Sequence, residues 1–212
     1  MSYKHIYLFI ILISFAVGLF NFKGLNKGGR ILTIYLLSVF ITETLCIVFF
    51  KKNNLLEYII GCSFQYSLVL LYFNESFSNI RKRKLGLILA PASLGFFFIY
   101  AYLNNTPIRK VYEYLVLMEG FFIISFCLMA YYYLLVKDMS TQILRVFDFW
   151  VISLFFLSWS INYFYWGFSG IIFKNKNFST IYTVVLTINC LVYFAFGPLL
   201  YLSKKKKLGT SD

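Results

Sequence analysis

Seven long apolar runs separated by short polar gaps make up nearly the whole chain. They are roughly His5–Phe22, Ile31–Phe50, Leu55–Phe73, Leu85–Leu103, Val111–Val136, Phe149–Gly170 and Thr180–Ser203. At about 1.5 Å of rise per residue, each is long enough as a helix to cross a hydrocarbon core of roughly 30 Å. A helix satisfies its own backbone, and short connections favour helices over a barrel. The pattern therefore predicts an all-α membrane protein, a single seven-transmembrane helix bundle over residues 1–203, with a short basic tail over 204–212. The first run has the length of a signal sequence, but no small-x-small cleavage site precedes Phe20 and its charged flank is on the far side, so it reads as a span. Pro91 and Pro198 fall inside the fourth and seventh runs, where each should free a carbonyl and bend its helix.

Composition agrees with this pattern. The chain is 60% hydrophobic and 22% aromatic, with a mean hydropathy of +0.75, more apolar surface than a soluble domain of this length buries. Its 20 Lys and Arg against 8 Asp and Glu fall in the gaps, where they act as topology signals. Seven of them (Lys4, Lys51, Lys52, Arg109, Lys110, Lys174, Lys176) lie on the N-terminal side of the bundle. The remaining thirteen lie on the other side, at Lys23, Lys27, Arg30, Arg81 to Lys84, Lys137, Arg145 and Lys204 to Lys207. The richer side is expected to be cytoplasmic, which places the N-terminus outside and the C-terminus inside. Tyr131, Tyr132 and Tyr133 near one face and Trp166 near the other are placed as interfacial anchors.

Inside the runs the polar inventory is short: Glu43, Gln65, Glu119, Asn162 and Asn189, one on each of five spans. Counted from the flanking basic residues, Glu43 lies about 12 Å deep, Glu119 about 13 Å, and Gln65 and Asn189 about 19 Å. All five thus fall in one layer between the outer half and the midplane, and such residues mark pathways or binding sites. Amides can equally serve as bridges between helices, worth about 0.6 kcal/mol each. A carboxyl is a poor choice for that task, and no Lys or Arg lies within a span to pair with it. Glu43 and Glu119 are therefore expected to share an interior cavity open to the outer side, with at least one of them uncharged near neutral pH. The other acids read as peripheral. Asp148 is expected at the membrane interface near Arg145, Glu57 and Glu113 in first helical turns, and Glu75 in a solvated loop.

The basic cluster Arg81, Lys82, Arg83 and Lys84 and the tail Lys204, Lys205, Lys206 and Lys207 read as cytoplasmic anchors, with an anionic-lipid or acidic-partner contact as the functional alternative. No aromatic residues interleave with these bases, so no specific nucleic acid is expected. With His5 as the single histidine, a Ser–His dyad or a His-based metal centre cannot be assembled, and no metal site is expected. The four cysteines (Cys46, Cys62, Cys127, Cys190) lie inside apolar runs without CxxC spacing. There is no Gly-rich phosphate loop, and the seventh span holds no lysine for a retinal Schiff base. Neither catalysis nor a cofactor is expected.

The acid late in span two (Glu43), LMEGFF around Glu119, the Phe149–Trp150 pair opening span six and the Asn189–Tyr193 region give the chain a likeness to a known group. It resembles an uncharacterised seven-span membrane protein family of Bacteroidota. That family usually carries an acid in span three, where this chain has Gln65 within SFQYSLV. The resemblance, with a composition rich in Lys, Asn, Ile and Phe, implies a multi-pass protein of a bacterial inner membrane. A looser architectural likeness is to the SWEET, PQ-loop and KDEL-receptor group, two three-helix repeats joined by a linker helix. The chain lacks that group's Pro-Gln dipeptide and shows no internal repeat. Three functions stay open at this point. The first is a sensory or regulatory component acting through a separate cytoplasmic or membrane partner. The others are a solute or ion transporter using the polar layer, and a membrane effector of a cellular defence system. A homo-oligomer is compatible with each.

Overall fold

The structure, a computed structural model, describes residues 3–49, 55–137, 147–168 and 178–207. Its helices are α1 (Tyr3–Asn21), α2 (Lys27–Thr44), α3 (Leu55–Ser76), a short α4 (Ser78–Lys82), α5 (Leu85–Leu103), α6 (Ile108–Lys137), α7 (Phe147–Gly167) and α8 (Phe178–Lys207). All but α4 are long and apolar enough to cross a membrane. Two boundaries differ from the hydropathy pattern for chemical reasons. The Asn26 side chain accepts from the Gly29 amide at 2.7 Å and caps α2, so that helix begins at Lys27, before its apolar run. Past Thr44, α2 widens into a π-helical turn, Leu45–Phe49, a feature that re-aims the side chains around it.

Six of the long helices close into a ring, each packed on the next: α1, α2, α3, α6, α7, α8 and back to α1. α5 leans on α3 from outside the ring, and its buried residues form a single narrow stripe, Gly86, Ala90, Ser93, Phe97 and Ala101. The α1 stripe is similar: Tyr7, Ile11, Ser14, Gly18 and Asn21 recur every three or four residues and face inward. Small residues at its centre bring the neighbours close. The Ser14 hydroxyl donates to the Tyr193 carbonyl of α8 at 2.7 Å, and a Cβ at Gly18 would meet Thr33 of α2 at 2.6 Å. Close approach by small residues is the usual means of helix association where lipid supplies no hydrophobic drive. Pro91 and Pro198 sit inside α5 and α8 as the sequence places them.

The ring is filled at one end and open at the other. At the end away from the N-terminus, Tyr35, Tyr72, Phe73, Phe126, Phe155 and Phe196 come together from five helices, all buried. Their rings meet edge-on or tilted at 5.4 to 6.4 Å, as in Tyr35–Phe155, Phe73–Phe126 and Phe155–Phe196. Each such contact is worth about 0.5–1.5 kcal/mol beyond its buried area. Between this plug and the N-terminal end lie Glu43, Gln65, Asn162 and Asn189.

Candidate functional site

A cavity opens at the N-terminal end of the ring, bounded by the first turns of α1, α3, α6 and α8 and the last turns of α2 and α7. Its outer part has a volume of about 350 Å³, within the range of small-molecule sites. A narrower inner chamber of about 100 Å³ continues from it toward Gln65, Val116 and Tyr193. Glu43, Tyr7, Tyr58, Tyr112, Asn162 and Asn189 border both parts.

Among the described residues, Glu43 is the only acid on this lining. It lies just before the π-helical turn of α2, and the next turn contributes Cys46 and Ile47 to the wall. Tyr7 of α1 donates to one carboxyl oxygen at 3.4 Å and Tyr58 of α3 to the other at 3.3 Å. Two neutral hydroxyls thus hold the carboxyl on either side without supplying a counter-charge. Among the described residues, the basic one on the lining is Lys4, exposed at the mouth.

The amides behave as connectors that also face the cavity. The Asn189 carbonyl oxygen of α8 accepts from the Ser158 hydroxyl of α7 at 2.9 Å and from the Asn162 amide at 3.4 Å. Asn162 donates as well to the Ser158 backbone carbonyl at 2.8 Å. Gln65 of α3 donates to Thr42 of α2 at 3.4 Å and borders the inner chamber only. Four of the five polar residues singled out in the sequence are therefore brought together.

Glu119 is not with them. Its side chain is 0% exposed, it lines neither part of the cavity, and its two carboxyl oxygens have no hydrogen-bond partner among the described residues. Helical spacing gives the reason. Tyr112, Val116, Glu119, Ile123 and Phe126 recur at three- and four-residue steps along one face of α6. The first two border the chamber and the last two are buried in the core. Glu119 falls between, one turn beneath the floor. The expected cavity shared by both carboxyls is thus met by Glu43 alone.

Trp166, in the last turn of α7, lines the cavity, with Tyr112 edge-on at 4.9 Å and Tyr165 at 5.3 Å. Other expectations need correction. Glu75 is not in a loop but in the last turn of α3, between Lys27 at 3.7 Å and Arg81 at 3.8 Å. Asp148 accepts from the Tyr72 hydroxyl at 2.5 Å, while Arg145 lies outside the described residues, as do Lys51, Lys52, Lys174 and Lys176.

The tyrosines of the cavity were not singled out by the sequence. Tyr7, Tyr58, Tyr112, Tyr165 and Tyr182 all lie within a few turns of the same end of their helices, a pattern that also describes a lipid-facing aromatic belt. Only the closed ring of helices turns them inward.

At the opposite end, Arg81 and Lys82 close the short α4, and Lys84 takes a left-handed conformation, φ 52°, before α5. Lys82 and Arg83 rim an apolar recess of about 390 Å³ that includes Phe77, Ile80, Tyr132 and Tyr133. Lys204 to Lys207 form the last turn of α8, and their side chains lie outside the described residues. The chain matches no protein-family model, no curated protein and no solved structure.

Proposed function

We propose that the protein is a multi-pass receptor of a bacterial inner membrane that binds a small solute from outside the cell and passes the event to a separate partner. One observation carries this reading: a polar, aromatic cavity opens at one end of the helix ring and is closed beneath by the aromatic plug. The charge asymmetry of the gaps puts the N-terminus, and with it the cavity mouth, outside, and the Arg81–Lys84 and Lys204–Lys207 clusters in the cytoplasm. There the recess under Lys82 and Arg83 suits an anionic lipid headgroup, its acyl chains on Phe77 and Tyr133.

A transporter is the second reading, favoured by Glu119. A carboxyl buried one turn below the chamber floor, with no partner among the described residues, lies where a transported proton would be carried inward. Two measurements separate the alternatives. In cells carrying a cysteine-free chain, Leu55→Cys at the cavity mouth should react with an impermeant maleimide and Lys82→Cys should not; the reverse labelling overturns the orientation. Proteoliposomes should show saturable solute binding without uptake for a receptor, whereas uptake coupled to a pH gradient would establish transport.

A further inference from the structure

The cavity's chemistry narrows the kind of solute. Its one acid among the described residues, Glu43, is held by two neutral hydroxyls and lies where the outer part meets the inner chamber. Around it stand the rings of Tyr7, Tyr58, Tyr112 and Trp166. Tyr58 and Tyr112 have centroids 5.9 Å apart, and Tyr112 meets Trp166 edge-on at 4.9 Å, so three rings from three helices form a continuous wall. Aromatic faces attract cations, most strongly where water is excluded. The inner chamber, about 100 Å³, has room for about three waters at roughly 30 Å³ each, or for one small ammonium head in their place.

We propose that this cavity binds a small organic molecule through its ammonium group, with Glu43 as counter-charge and Tyr58, Tyr112 and Trp166 as the surrounding wall. The inference rests on reading the cavity as a ligand site and adds the class of ligand. An anionic head is disfavoured, because it would face the Glu43 carboxyl, whose hydrogen-bond donors among the described residues, Tyr7 and Tyr58, are neutral. A metal ion is disfavoured too: among the described residues no three His, Cys, Asp or Glu side chains gather to hold one. A bare alkali cation leaves the aromatic wall unused, since it keeps water that an alkylated ammonium does not hold. Lys4 sits at the mouth, apart from the inner chamber. It meets the part of the ligand that projects outward and favours a molecule with an anionic or polar far end over a simple dication.

The test uses the full chain in nanodiscs. Binding is followed by the fluorescence of the cavity tryptophans Trp159 and Trp166 and by calorimetry. The probes are choline and glycine betaine, the neutral choline isostere 3,3-dimethylbutanol, acetate and sodium chloride. Choline or betaine should bind saturably while the neutral isostere at the same concentration does not. Glu43→Gln should weaken that binding about tenfold or more, and Tyr58→Phe, which keeps the ring, should weaken it far less. Thermal unfolding of each variant shows whether it is folded, and Tyr112→Leu, which removes a ring but no charge, serves as the second site variant. Binding of 3,3-dimethylbutanol, acetate or sodium in place of the ammonium probes overturns the ammonium inference and leaves the receptor reading standing. Ammonium binding that survives both Glu43→Gln and Tyr112→Leu overturns this site as its location. Absence of binding by every probe, with a folded protein, overturns the ammonium inference, while the receptor reading stands or falls on the proteoliposome measurement.

Discussion

The Tyr72 hydroxyl donates to Asp148 at 2.5 Å, across 76 residues of sequence. This bond fastens the C-terminal half of α3 to the first turn of α7 at the aromatic plug itself, where Tyr72 also meets Phe155 at 5.8 Å. A hydrogen bond to a carboxylate is worth more than one between neutral groups, and Tyr72 is buried. Tyr72→Phe keeps the ring contacts and removes the donor. It should destabilise the bundle by about 1–2 kcal/mol, read by reversible unfolding in mixed micelles. Asp148→Asn retains an acceptor and should cost less. A loss below about 0.5 kcal/mol in Tyr72→Phe would show that the bond contributes little.

The contact between α5 and α3 is tightest at one glycine. A Cβ at Gly86 would run into the Leu70 backbone carbonyl and meet Asn74 Cβ at 3.1 Å. A backbone carbonyl cannot turn aside as a side chain can. Gly86→Ala should therefore cost about 1–3 kcal/mol by overpacking, and Gly86→Leu should separate α5 from the ring. Gly95, on the same helix, has nothing within 4 Å of its Cβ position. Gly95→Ala should be neutral or stabilising by up to about 1 kcal/mol. A matching loss at both glycines would point to helix propensity or lipid exposure in place of this close approach.

The Lys82 and Arg83 recess gives a prediction for native mass spectrometry of protein extracted from mixed-lipid vesicles. Phosphatidylglycerol should be retained in preference to phosphatidylcholine. Each basic residue near an anionic surface contributes about 1 kcal/mol, so a Lys82→Ala, Arg83→Ala double variant should lower phosphatidylglycerol retention about tenfold or more. Phosphatidylcholine retention should not move. Loss of both lipids together would mean that the apolar recess has collapsed, and unchanged retention would exclude the headgroup site.

Element positions were legible because lipid imposes a simple rule: a run must be apolar throughout its length, so hydropathy alone marks each span. Ends were less legible because capping decides them, as Asn26 does for α2. The polar layer was legible by depth, which depends only on counting residues from the nearest basic flank. Where the cavity stops was not. Glu43 and Glu119 have similar estimated depths, yet one borders the cavity and the other lies beneath its floor, although Glu119 shares a helix face with Tyr112 and Val116, because the floor is set by how the neighbouring helices fill the ring. The turn of Trp166 toward the cavity was not legible either. Near the end of a span, an aromatic residue facing lipid and one facing a cavity look alike in sequence.

Glu119 offers the sharpest contrast between a structural and a functional residue. Asn189 has partners to lose: Asn189→Ala removes the acceptor for Ser158 and Asn162 and should cost about 0.6–1.7 kcal/mol. Glu119 has no such partners among the described residues, so removing its carboxyl orphans nothing. Burying a polar group without a hydrogen bond costs about 1–3 kcal/mol. Glu119→Leu and Glu119→Met, which fill the same space with apolar atoms, should therefore leave stability unchanged or raise it by about that amount. Glu119→Gln keeps the shape and the unsatisfied polar group and should be close to neutral. A loss of more than about 2 kcal/mol in Glu119→Leu would reveal a structural partner, such as a buried water, and remove the case for a functional carboxyl. If the leucine variant instead folds at least as well as the parent while its uptake or its response to a bound solute is lost, the carboxyl is kept for a task that packing does not require. Stability measured beside activity in the same three variants distinguishes the two.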